Sequence, residues 1–327
     1  MSRLIRFTLV RFFLAALAAM LTTAALAQPY PTRPIRLMVS FPPGGAADIV
    51  ARLLAQPLYA RLGQPVVVEN RPGSNGNLAG ELVARATPDG YTLLLAPSAL
   101  FGINPHLFAK MSIDPLKDLV PIASLVSNEL ILAANPLLAS ALDLRGFIAL
   151  ARATKPALFY ASIGNGSEHH LAMELLKQQA GVDLVHVPYR GGGPAAIGVM
   201  AGDVAAMFGG GSVAPLVQSG KLRGIGLSGP RRSPALPELP AIAEVYPGYE
   251  VTLWQGLFAP VGTPEAITAR LRTEVTAILT QGSFAEKLSA AGSGEPYVTS
   301  LPDFVARIRG DHAKYGKLIK AIGVTVD

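Results

Sequence analysis

Three short stretches of the 327-residue chain place glycines where a turn would open a helix: "FPPGGAAD" (41–48), "SIGNGSEHH" (162–170) and "YRGGGPAA" (189–196). Each follows strand-forming residues and precedes apolar residues at helical spacing, as with Ile49 and Leu53, and Val50 and Leu54. A glycine turn feeding a helix exposes unpaired main-chain N–H groups at the positive end of the helix dipole. The chemistry this offers is anion binding, although each turn alone also has a purely structural reading. A nucleotide is a poor fit. The Walker pattern needs Gly-Lys-Ser/Thr after the loop, whereas Gly44-Gly45 runs into Ala46-Ala47, and the first turn lacks G-x-G-x-x-G.

Other polar residues near these turns divide between ligand and scaffold roles. Arg190 could neutralise a carboxylate, or stand as a solvated rim residue. Asp48 would repel an anion if it faced one, so it reads either as bracing the loop by accepting backbone N–H bonds or as favouring its helix N-terminus. His169 and His170 are adjacent, point about 100° apart on a helix and cannot share a metal as an i, i+4 pair would. His170 reads as packing, or as donating a hydrogen bond that holds the loop. With no HExxH, no G-x-S-x-G elbow and no cysteine, neither a catalytic residue nor a metal site is expected. A hydrolase remains as a rival built on Ser167 and an unplaced base. Trp254, the sole tryptophan, reads as buried beside a hinge.

The elements that must position these turns alternate between β and α from Pro34 onward, which implies an α/β architecture. Strands at "IRLMVSF", "PVVVEN" and "YTLLLAP" with helices between them form a βαβαβ run of the doubly wound kind. A second such run extends from "LILAANP" to "VAAMFGG", and two amphipathic helices, near 264–281 and 302–322, follow and should cover the first lobe. Two lobes with mainly parallel sheets and two crossings near 129 and 253 would leave a cleft between them. Ligand-binding turns sit at the carboxyl edges of such sheets. The two turns would then converge, which suits a ligand with a carboxylate at each end. The division expected is 28–129 plus 253–327 for lobe 1 and 130–252 for lobe 2.

Residues 1–27 have the three parts of a secretory signal: Arg3, Arg6 and Arg11, an apolar segment, and Ala25-Leu26-Ala27 before Gln28. Cleavage after Ala27 would put the mature chain in the periplasm. It would also remove three arginines and no acids, lowering the formal net charge from +6 to +3. No basic run remains to track a phosphate backbone, so a nucleic-acid partner is not expected.

These stretches resemble the Bug (TctC-like) solute receptors of tripartite tricarboxylate transporters. The likeness runs from "YPTRPIRLMVSFPPGGAADIVARLL" through "YASIGNGSEHHLAMELL", "VPYRGGGPA" and "WQGLFAPVGTP" to "HAKYGKLIKAIG". It implies a periplasmic binding protein fold, without cofactor or metal, that closes on a small carboxylate as a monomer and hands it to an inner-membrane permease. Carried over by motif, the first-lobe contacts are Phe41, Gly44 and Gly45 with Asp48 bracing. Those of the second lobe are Ser162, Asn165, Gly166 and Ser167, while Ser98 and Asn104 border the cleft. Many relatives carry acids in "G-x-V-D-x-M-F-D" where this chain has Ala205 and Gly209, with Asp203 displaced. A plain mono- or dicarboxylate is therefore expected over an amino acid. The rival to transport is the same fold sensing a ligand for a regulatory partner.

Overall fold

Ile35, Leu37 and Val39 are buried in strand β1 (Ile35–Val39), and the glycine turn that follows starts helix α1 (Ala46–Leu62). Helix α1 buries Val50, Leu54 and Leu58 against the strands; each such side chain contributes about 1.5–3 kcal/mol relative to exposure. The computed structural model describes residues 30–139, 143–233 and 236–326. The leader read at 1–27 lies outside them.

The chain continues through β2 (Val66–Asn70), α2 (Asn77–Ala84), β3 (Thr92–Pro97), α3 (Ser98–Gly102) and α4 (Asn104–Leu107) to the long strand β4 (Leu119–Glu129). The second half holds β5 (Ile131–Ala134), α5 (Leu144–Ala153), β6 (Phe159–Ser162), α6 (Glu168–Ala180), β7 (Val185–Pro188), α7 (Gly192–Ala201), β8 (Ala206–Gly209) and β9 (Arg223–Leu227). The chain then returns along β10 (Thr252–Pro260) to α8 (Glu265–Leu279), α9 (Gly282–Ala290), β11 (Glu295–Pro296) and α10 (Leu301–Ile322).

The fold is a two-lobed α/β structure on two sheets. The six-stranded sheet has the order β11-β4-β10-β3-β1-β2, and the five-stranded sheet β7-β6-β8-β5-β9. Both are mixed. Strands β2, β1 and β3 run parallel, as do β7, β6 and β8, which is where the crossover helices lie. Antiparallel pairing with β10, β4 and β5 fills the rest. Those are the strands next to the passages between lobes, where the chain turns back without a crossover helix.

Ser228 ties the two passages together. Its Oγ accepts from Leu130 N at 2.7 Å and donates to Val251 O at 2.6 Å. Trp254 is buried as expected, and its Nε1 donates to Asp311 Oδ2 at 2.8 Å. Asp311 also receives Arg307 Nε and Lys314 Nζ, so the start of β10 is pinned to α10. Besides covering the first lobe, α10 reaches the second, where Leu107, Leu171, Tyr315, Leu318 and Ile319 form one apolar cluster.

Candidate functional site

The first turn begins where β1 ends. Gly44 adopts φ +82°, a left-handed conformation suited to glycine, and Gly45 precedes the helix with extended backbone. The first helical N–H with a main-chain partner is that of Ile49, bonded to Gly45 O at 3.0 Å. The amides of Ala46, Ala47 and Asp48 are therefore the orphan donors of α1. Gly44 N–H is not among them, because it donates to Asp48 Oδ2 at 2.9 Å. Asp48 Oδ2 also accepts Arg52 Nε at 2.9 Å, and Oδ1 accepts Asn70 Nδ2 at 3.0 Å. The Arg52 hydrogen bond, assisted by those from Gly44 and Asn70, lowers the Asp48 carboxyl to about 2. Asn70 also donates to Phe41 O at 2.9 Å. The turn is thus fixed by a permanent anion on its own helix and an amide from the neighbouring strand.

The second turn repeats this frame with different chemistry. Ser167 caps α6, accepting from His170 N at 3.3 Å and donating to Gly164 O at 2.8 Å. Gly166, at φ +72°, donates its N–H to His170 Nδ1 at 3.1 Å. His170 therefore accepts from the loop, where the sequence suggested that it packs or donates. A ring nitrogen that takes an N–H carries no proton, so the neutral Nε2–H tautomer is fixed. His186 stacks on His170 with centroids 3.8 Å apart, and its Nε2 lies 2.6 Å from Ser162 Oγ. Burial lowers both imidazoles, His186 to about 4.

The remaining sequence candidates fall into three groups. Ser162 is buried, its Oγ bonded to both polar atoms of the Gly164 backbone at 3.0 Å. Asn104 is buried too, and its amide is spent within lobe 1 on Asn75 and Asn77. Asn165 and Arg190 are exposed; Arg190 follows Tyr189, whose N–H donates to Ser162 O at 3.0 Å.

Ser98 joins the two lobes. It is buried at the end of β3, accepts Trp254 N at 3.4 Å and donates to Glu168 Oε1 at 3.4 Å. Glu168 begins α6, and burial raises its carboxyl while its own backbone N–H and Ser98 work the other way. A carboxyl group of the chain therefore lies at the second helix N-terminus and reaches across to the first lobe.

A continuous set of contacts links the turns. Ser40 meets Gly76, Asn75 bonds Asn104, and Leu107 sits where a Cβ on Gly166 would be 2.5 Å away. His186, Asn70, Arg52 and Glu168 escaped sequence analysis. The first two come from neighbouring strands, in register with Tyr160 and Val39, and only pairing reveals that. For Arg52, the signal was its i, i+4 spacing from Asp48.

Comparison with known proteins agrees with this geometry. Residues 50–324 match the family described as "Tripartite tricarboxylate transporter family receptor". Protein BugT of Bordetella pertussis is 36% identical over 302 residues, 89% of this chain and 90% of BugT. Among solved structures, R. palustris Rpa4515 with adipate superposes with a TM-score of 0.77 at 33% identity, covering 90% of this chain and 99% of that one. MatC (Rpa3494) from Rhodopseudomonas palustris with bound malate gives 0.72 at 31% identity, covering 89% and 100%.

Proposed function

Because the chain belongs to the tripartite tricarboxylate transporter receptor family, we propose that it captures a small organic carboxylate in the periplasm and delivers it to an inner-membrane permease. The lobes are 28–129 plus 253–327 and 130–252, and they close about the passages tied by Ser228. The observation that carries this reading is the repeated frame. At the carboxyl edge of each sheet, a glycine N–H is taken by a side chain four residues on and a helix begins; α1 keeps the N–H groups of Ala46 to Asp48 free, whereas at α6 the Ser167 hydroxyl and the Glu168 side chain occupy those of His170 and Glu168.

In this reading one ligand carboxylate rests on the amides of Ala46 to Asp48, beside Phe41 and Gly45. The other meets the start of α6 beside Asn165, Gly166 and Ser167, displacing the Glu168 side chain from its own backbone N–H and from Ser98. Gly44, Asp48, Asn104 and Ser162 hold the donors in place, and Arg190 supplies charge at the rim. Two cradles made of main-chain N–H groups recognise carboxylates without turning anything over. Adipate and malate, the ligands of the two R. palustris proteins, have the expected chemistry.

A thermal-shift screen of mono- and dicarboxylates, amino acids and neutral sugars tests this. A true ligand at one hundred times its Kd stabilises by about 2.7 kcal/mol. Stabilisation by carboxylates alone is expected. A response confined to sugars or cations would overturn the reading. Export is checked by the mature N-terminus, expected at Gln28. Among the described residues no helix is long and apolar enough to cross a membrane.

A further inference from the structure

His170 is buried at 3% exposure, is not itself a candidate ligand contact, and yet its ring holds the main chain of Gly166, which is one. We propose that His170 is the positioning residue of the second-lobe turn, and that the turn keeps its carboxylate-binding shape only while His170 is an unprotonated acceptor for the Gly166 N–H. The binding half of this rests on the carboxylate reading above.

The geometry leaves a proton on Nδ1 no place. It would set one N–H against another across 3.1 Å, so the turn would have to release Gly166. The groups around the ring do not rescue a charged form. From its own helix, Glu174 Oε1 lies 4.0 Å from Nε2, but that oxygen already receives Tyr160 OH at 2.6 Å and Lys177 Nζ at 2.8 Å. From β6, the Tyr160 ring centroid lies 6.3 Å away. From β7, His186 stacks within 9° of parallel, so a charge on either ring opposes one on the other. From lobe 1, Leu107 offers only an apolar face to Gly166. His186 extends the same unit to Ser162, so two of the three turns' strand ends meet at one imidazole pair. Protonation and release of the Gly166 turn are thus one event.

The test begins with the unmodified protein and no ligand. In a 15N-labelled sample, the ring nitrogens of His170 should report the Nε2–H tautomer at neutral pH. On acidification the Gly166 amide signal should move with the His170 ring. A Nδ1–H tautomer, or a ring that titrates while Gly166 stays still, would overturn the positioning role. Two variants then separate the acceptor from the ring. His170→Asn offers an oxygen near the former Nδ1, whereas His170→Phe keeps an aromatic on His186 and accepts nothing. With adipate and malate as probes, His170→Asn should bind at least tenfold tighter than His170→Phe. Across the pH range in which the His170 ring is seen to titrate, the unmodified protein should lose affinity relative to His170→Asn, a comparison in which ligand ionisation cancels. Equal variants, or a flat ratio, would overturn the acceptor role. If neither acid binds the unmodified protein, the carboxylate half falls, while the tautomer measurement still decides the positioning half by itself.

Discussion

At Gly44 and at Gly166 the chain takes the same step. Both residues have positive φ, both give their N–H to a side chain four residues on, and both open a helix at a sheet edge. They differ in acceptor and in surroundings. Asp48 is a carboxylate charged at every ordinary pH, paired with Arg52, and a Cβ on Gly44 would meet nothing within 4 Å. His170 is a neutral ring whose acceptor role ends when it gains a proton, and Gly166 is pressed against Leu107 of the other lobe. The same local frame can therefore be built as a fixed anchor or as a titratable one. The titratable copy lies where the lobes touch.

The largest expected effect lies at that contact. Gly166→Ala brings a Cβ to 2.5 Å from Leu107 Cδ2 and forces a residue with a side chain to φ +72°. Left-handed strain costs about 1–3 kcal/mol, and overpacking costs a similar amount again. A loss of about 3 kcal/mol or more is expected in chemical denaturation. A loss under 1 kcal/mol would mean that Leu107 yields freely and that the contact between lobes is loose.

Acid should separate the turns next. His169 and His186 are lowered by burial from 6.5 to about 4, so the folded state binds fewer protons than the unfolded chain between those values. Their contribution is complete above the unfolded pKa of 6.5 and drains away as pH falls toward 4. For His169 the loss approaches about 3 kcal/mol at the acid end. Asp48 is shifted in the same direction but over a lower window, from 3.8 to about 2, so its contribution is complete above 3.8 and is lost only as pH falls through 2. At pH 5, hydrogen exchange should show reduced protection at 163–170 and unchanged protection at 41–48. Equal loosening of both turns would erase the distinction.

A smaller effect is expected at the fixed anchor. Asp48→Asn keeps an acceptor in place but removes the charge that binds Arg52 and Gly44. Hydrogen bonds to charged groups contribute about 1.5–3 kcal/mol, so a loss of about 2 kcal/mol is expected from thermal denaturation. The effect should appear at pH 7 and at pH 5 alike, unlike that of His170→Phe. A pH-dependent loss would show that the Asp48 brace depends on the histidines as well.

The frame was more legible in the sequence than its chemistry. Apolar spacing placed the first helix from Ala46, and the observed helix is Ala46–Leu62, because Val50, Leu54 and Leu58 repeat on one face. The turns themselves announced N–H donors. What spacing could not say is which donors stay free. Gly44 and Gly166 are the natural candidates, and in both the N–H is consumed by the fourth residue along. The antiparallel strands were harder to place, since β4 and β10 are buried over most of their lengths and have no alternating face to give their partners away. His186 and Asn70 depend on parallel register, which only long-range pairing sets.

The smallest predicted change gives the closest check on why the two turns differ. Gly44→Ala meets no neighbouring atom within 4 Å, so the whole effect must come from backbone conformation at φ +82°. An alanine there costs about 1 kcal/mol, near the lower end for left-handed residues, and the Asp48 acceptor should hold the turn in shape because its bond is to the main chain. Equilibrium unfolding should therefore show Gly44→Ala losing no more than about a third of what Gly166→Ala loses. Affinity for a bound carboxylate should change little, since the donors of Ala46 to Asp48 remain where they were. If Gly44→Ala proves as damaging as Gly166→Ala, backbone strain alone accounts for both and Leu107 adds nothing. If it abolishes binding while the fold is intact, the methyl group must be occupying ligand space, and the anion lies closer to Gly44 than the orphan amides of α1 would place it.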